Sequence, residues 1–307
     1  MLLLTRLLRA FVSLIAIVTL VFVAIRATGD PILAMFNPDD YTTEALDAMR
    51  RQWGYTGTIF EQYVAYVSNV FQGHFGMSSM SSRDALAVVV ERVPATLQIV
   101  GWSALIMFGV GIPAGAFAAL HAGGRLDRLV MAGSTVGFAM PNFVLGLLLI
   151  LLFSVYLRWL PSNGSGSWHN LVMPVLTIGL AKASIFTRFV RSAVLDALKL
   201  SCVTSARARG LTEWQIFRNH VIPNALLPLV TIAPLLVGAM ISASSVVESV
   251  FGWPGIGRLI VDSVAQRDLA VLQVIIMFVA ALMILTNLIV DLAYVRLDPR
   301  TALARSH

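Results

Sequence analysis

Six apolar stretches, each of 20 residues or more, dictate what this chain can fold into: residues 7–27, 94–120, 129–157, 171–190, 224–249 and 271–294. A helix rises 1.5 Å per residue, so about 20 residues cross the ~30 Å hydrocarbon core of a bilayer, and only a helix meets its backbone hydrogen bonds within one such segment. Each stretch is therefore expected to be a transmembrane helix. With 58% hydrophobic and 12% charged residues, against about 25% charged in soluble domains, the chain is not a disordered protein, a secreted disulfide scaffold or an ordinary cytosolic enzyme. Arg6 and Arg9 stand before an apolar run, as in a signal peptide, but Ile25-Arg26-Ala27 is not a small-x-small cleavage site, and a retained helix is expected.

The residues outside these stretches supply little chemistry. Cys202 is the single cysteine, and His74, His121, His169, His220 and His307 are scattered without metal-ligand spacing, so neither a disulfide nor a metal site is expected. No phosphate-cradling G-x-x-x-x-G-K-[ST], zinc-type H-E-x-x-H or nucleophile-elbow G-x-S-x-G occurs, and no catalytic residue is assigned. The net charge of +6 reads as topology, not as a nucleic-acid surface. With a cytoplasmic N-terminus, the inside carries thirteen basic and four acidic residues, a net +9, and the outside eight basic and eleven acidic, a net −3. Both termini are thus expected in the cytoplasm.

Four parts follow: residues 1–27 as N-terminus and first helix, 28–93 as an extracytoplasmic cap, 94–294 as a five-helix core, and 295–307 as a cytoplasmic tail. In the cap, Phe60, Tyr63, Val64, Val67 and Phe71 recur at helical spacing. The core contains a cytoplasmic loop, 191–223, that is too long for a bare turn. There a small-residue helix is expected to end at Gly210, where a left-handed cap needs no Cβ. Thr212 and Gln215 fit a capping box, and Leu211 with Ile216 a hydrophobic staple. The short helix then carries Trp214, Phe217 and Val221 at i, i+3 and i+7, and Pro223 is expected to stop it. Such an aromatic pair suits docking into a partner's groove, and equally suits packing onto the chain's own helix ends or lying among lipid headgroups.

Residues 204–223 resemble the EAA-type loop of ABC importer permeases, with Ser205-Ala206 at the small positions, Gly210 at the turn and Ile222-Pro223 near the closing Leu-Pro. Further stretches resemble the dipeptide, oligopeptide and nickel permeases: Gly29-Asp30-Pro31, His74-Phe75-Gly76-Met77-Ser78, Arg92 to Leu97, Gly111 to Gly115, Pro141-Asn142-Phe143, Asn224-Ala225-Leu226, Glu248 to Gly257 and Asn287 to Arg300. Thr28, Thr204, Ser201-Cys202 and Lys182 depart from the pattern. The resemblance implies an all-α integral membrane protein with six transmembrane helices, in the type I ABC importer (MetI-like) permease fold. It implies an inner-membrane subunit of an ATP-driven, binding-protein-dependent importer of di- or oligopeptides or peptide-like solutes, with nickel or another small solute as the alternative. Its partners would be a second homologous permease, two cytoplasmic ATPases that bind ATP and Mg, an extracytoplasmic substrate-binding protein and membrane lipid. A stand-alone secondary transporter would need an inverted repeat and several buried ionisable groups, and neither is evident.

On the same resemblance, residues 212–219 become the coupling helix, and Ser205, Ala206, Arg207, Gly210, Leu211, Thr212, Trp214 and Phe217 the ATPase-coupling residues. Arg207 and Arg209 would pair with ATPase acids or lie near anionic lipid. Lys182, about twelve residues into the fourth stretch, either lines the translocation path or snorkels to the headgroups. Asn142, Ser242 and Ser245 are further candidates for the path. Glu248, Trp253, Pro254 and Gly255 belong to an irregular segment that is either an outer gate or binding-protein contact, or a re-entrant turn packed for structure. Pro113 and Pro141 are read as interruptions of spans, and Asn287 with Asp291 as packing hydrogen bonds on one helix face.

Overall fold

The computed structural model describes residues 2–27, 42–52 and 56–297, with side chains at most of these positions up to residue 284. The regular structure there is helical: α1 (Leu2–Ala27), α2 (Thr43–Gln52), α3 (Ile59–Phe71), α4 (Ala85–Leu120), α5 (Arg125–Ala139), α6 (Asn142–Leu149), α7 (His169–Leu198), α8 (Ser201–Ala208), α9 (Glu213–Ile216), α10 (Ile222–Phe251), α11 (Ile256–Ala265) and α12 (Leu269–Leu297). Wider π-helical turns follow α6 at Ile150–Tyr156 and α9 at Phe217–Val221. A single bridge between Met77 and Asp84 is the only strand-like pairing among the described residues.

Among the described residues, three helices are long and apolar enough to cross a bilayer: Ala85–Leu120, His169–Leu198 and the continuous run Glu213–Phe251. The third expected span is instead a bent pair, Arg125–Ala139 and Asn142–Tyr156, at 102° to each other. Pro141 stands at the break, where its ring disfavours a helical residue before it; Met140 is extended (φ −80°, ψ 123°). The apolar parts of α1 and α12, Phe11–Ala24 and Leu269–Ile284, fall where the first and sixth spans are expected. Three boundary expectations need correction. Helix α4 starts at Ala85 and runs through Pro94 and Pro113, since one lost hydrogen bond does not break a long membrane helix. Pro223 does not stop the loop helix either: the π turn before it widens the backbone, and α10 continues with the proline in its first turn.

The chain forms two compact units, residues 1–94 with 258–285 and residues 95–257 with 286–307. In the first, α1 packs on α3 through Phe22, whose ring meets Tyr63 edge-on at 5.3 Å and Tyr66 at 5.4 Å. Thr58 and Glu61 form a capping box at the start of α3, and the Thr58 N–H and hydroxyl hold the Glu61 carboxyl below its usual pKa. The cap's apolar set splits: Tyr63 and Val67 are half-buried, whereas Phe60, Val64 and Phe71 point outward. Asp268 is fully buried; Ser78 donates to it at 2.5 Å, and the Val271 N–H at 3.3 Å caps α12. The Gly29-Asp30-Pro31 motif, the side chains of Asn287 and Asp291 and the tail from residue 298 lie outside the described residues.

The second unit is organised around α7. Phe186 is buried and meets Phe108 of α4 edge-on at 5.4 Å, and Met173, Ile178, Met240 and Phe251 extend the same core. The sites below are all held on this unit.

Candidate functional site

The loop after α7 folds by short-range rules. Helix α8 ends at Arg209, and Gly210 follows at φ +76°, a left-handed turn that a side chain would strain. The Thr212 hydroxyl then accepts from the Gln215 N–H at 3.3 Å, while Gln215 Oε1 accepts from the Thr212 N–H at 3.0 Å. Arg207 crosses the turn with a two-point fork to Glu213, 2.8 Å from Nε and 3.0 Å from Nη2. The Glu213 carboxylate raises the Arg207 pKa further above its already high value. Arg207 therefore has an acid within its own loop.

These contacts sort the loop's apolar residues into two sets. Ala206, Ile216 and Val221 are buried, and Leu211 and Phe217 pack against the core from its edge. Trp214 remains 67% exposed, stacked on Phe217 at 6.2 Å. Val221, seven residues after Trp214, belongs to the buried set, on the far side of a π turn that shifts the helical register. Ser205 and Thr212 are exposed.

The segment after α10 is built differently. Glu248 is 0% exposed and accepts from the Thr96 hydroxyl at 2.7 Å. The same hydroxyl oxygen accepts from the Ile256 N–H at 2.8 Å, so one threonine on α4 ties both sides of the corner. Trp253, 5% exposed, donates its indole N–H to the Ala95 carbonyl at 2.9 Å. A methyl on Gly255 would collide with the Glu248 carboxyl, so only glycine permits this approach. Glu248, Trp253 and Gly255 thus face the interior rather than forming an open surface, and Pro254 is half-buried beside them.

The four path candidates lie on three helices. Lys182 is half-buried on α7, Asn142 half-buried at the start of α6, Ser242 exposed and Ser245 half-buried on α10. No hydrogen bond or ion pair joins these four among the described residues. A charge pair that sequence reading counted only as topology is drawn together instead: Arg191 Nε and Nη2 meet Asp127 Oδ1 and Oδ2 at 2.6 and 2.7 Å, and the Gly123 N–H adds 2.9 Å to Oδ2. The glycine pair ahead of an acid in the first turn of α5 was a local signal for that cap. Nothing local pointed to Arg191, 64 positions away. Thr96 likewise stood within a recognised motif without a visible partner.

Comparison with known proteins fits this architecture. Residues 111–303 match the family described as binding-protein-dependent transport system inner membrane component, and residues 1–100 match its N-terminal counterpart. The chain is 37% identical over 295 residues, 96% of each protein, to the glutathione transport system permease protein GsiC of Escherichia coli strain K12, and equally to that of Shigella dysenteriae serotype 1. Among solved structures, the inward-facing MetNI methionine ABC transporter matches with a TM-score of 0.60 at 22% identity, over 69% of this chain and 96% of that one. An amino acid ABC transporter with histidines matches with a TM-score of 0.54 at 18% identity, over 68% and 94%.

Proposed function

The chain belongs to the binding-protein-dependent transport system inner membrane components, the permease subunits of ABC importers, and from that premise we propose that it passes a peptide or peptide-like solute into the cell. The importer's ATPase and substrate-binding protein are separate subunits, and nucleotide chemistry belongs to the ATPase. The cargo reading is supported by the near full-length likeness to permeases named for glutathione transport. A second homologous permease would complete the path, and two ATPases would bind ATP and Mg below it. The +9 and −3 charge division supports placing both termini and the loop 191–223 in the cytoplasm of a bacterial or archaeal cell.

Trp214 carries the coupling part of this reading. It is 67% exposed on a helix whose start is set by a glycine turn, a capping box and an ion pair, the arrangement of an anchor aimed at a partner's groove. The ATPase is that partner in this scheme, and its ATP-driven closure draws the loop with it. Lys182, Asn142, Ser242 and Ser245 remain the proposed path residues, and the sealed Glu248 corner a structural clasp at the outer side. Two experiments test the reading. In vesicles holding the assembled importer, Trp214→Ala is expected to depress uptake and substrate-stimulated ATPase; wild-type values for both overturn the docking role. The ligand that co-purifies with the cognate binding protein is expected to be glutathione-like or a short peptide, and nickel or another small solute there overturns the cargo.

A further inference from the structure

Helix α5 is fastened to α7 near both of its ends. At its first turn stands the Asp127–Arg191 fork, with Asp127 3% exposed and its second oxygen also bound by the Gly123 N–H. Near its last turn, Gly137 lies so close to Ser184 that an added methyl would meet the serine hydroxyl, and Arg188 sits over the Phe138 ring at 5.9 Å. These contacts at both ends oppose sliding of α5 along α7. The first irregular backbone beyond it is the 102° bend at residues 140–141. In the other direction α7 runs unbroken from Arg191 to Leu198 and leads directly into α8 and the Trp214 loop.

The geometry points to Asp127 and Arg191 as positioning residues for transport. Their fork makes α5 and α7 one lever, so that displacement of the loop reaches the bend at Pro141 instead of being lost as slippage between helices. The planar guanidinium fixes direction as well as distance, which a point charge does not. A bend between packed rigid helices is where such a displacement is absorbed. The inference rests on reading the loop as the ATPase docking site.

The test uses the whole importer in vesicles, with uptake and ATP hydrolysis measured on the same sample and assembly checked by size-exclusion chromatography. Arg191→Lys keeps the charge and removes the fork. It is expected to assemble and hydrolyse ATP normally, while uptake per ATP falls about twofold to thirtyfold, the range by which residues along a coupling network act. A purely structural pair would lower assembly and leave that ratio alone, so a wild-type ratio in assembled Arg191→Lys overturns the proposal. If Arg191→Lys does not assemble, the double variant Asp127→Asn with Arg191→Gln decides, because its amides can still hydrogen-bond: a lowered ratio supports the lever and a normal one overturns it. Trp214→Ala serves as the reference. An impaired Trp214→Ala beside a normal Arg191→Lys sinks the lever alone, and normal values in Trp214→Ala sink the docking reading beneath it.

Discussion

Trp214 and Trp253 stand in stretches of similar make-up, each with a glutamate and a glycine close by, yet one is 67% exposed and the other 5%. Trp253 finds everything it needs inside the chain: an apolar pocket for its ring and the Ala95 carbonyl for its N–H. Its neighbour Glu248 is sealed in with a threonine hydroxyl, and Gly255 exists to let that carboxyl in. Trp214 stacks on Phe217 and stays largely open. Around it the glutamate pairs on the surface with Arg207, and the glycine turns the chain instead of making room. In the corner, residue chemistry is consumed by folding. In the loop, it holds an exposed tryptophan in a defined place.

That contrast can be broken most forcefully at the corner. Trp253→Ala is expected to cost about 3–5 kcal/mol of stability, the usual penalty for deleting a buried tryptophan, and to appear as a lower unfolding temperature and yield in detergent. Trp214→Ala should do the reverse, leaving the unfolding temperature unchanged while uptake drops about tenfold, as loss of an anchor of ~1.4 kcal/mol or more would require. Equal stability losses in the two variants would mean that Trp214 is packed in the working state. Gly210→Ala probes how firmly the loop is set; forcing a side chain to φ +76° costs about 1–2 kcal/mol, read as weaker ATPase association with little change in the fold. Thr212→Ala removes the cap and is worth about 1 kcal/mol of local helix stability, visible as faster amide exchange at residues 213–216. Glu213→Gln is the mildest change. An exposed pair contributes little, so unfolding temperature and uptake should both stay at wild-type values, and a marked uptake loss would make Glu213 itself a contact of the ATPase.

Sequence reading reached the loop's turn and caps because each depends on residues no more than a few positions apart: Gly210 for its backbone, Thr212 with Gln215 for the helix start. It did not separate Val221 from Trp214, seven residues before it, because facing is settled by packing, and the π turn between α9 and α10 shifts the helical register. It placed an interruption at Pro141 but not its size, because hydropathy does not register direction, and Met140 and Pro141 turn the chain by 102° within an apolar run. It named Glu248 without its partner, the Thr96 hydroxyl 152 positions away.

What the amino-acid order alone determined is that this chain lives in a membrane as a set of helices, carries no catalytic apparatus recognisable in its motifs, and concentrates its polar devices in one loop. Hydropathy and local capping are summed residue by residue, so they survive without a fold. Which tryptophan is sealed and which is presented, where a span bends, and that Asp127 is held by Arg191 were decided only in three dimensions. Burial and charge pairing depend on groups brought close by packing, and linear spacing carries no record of that proximity.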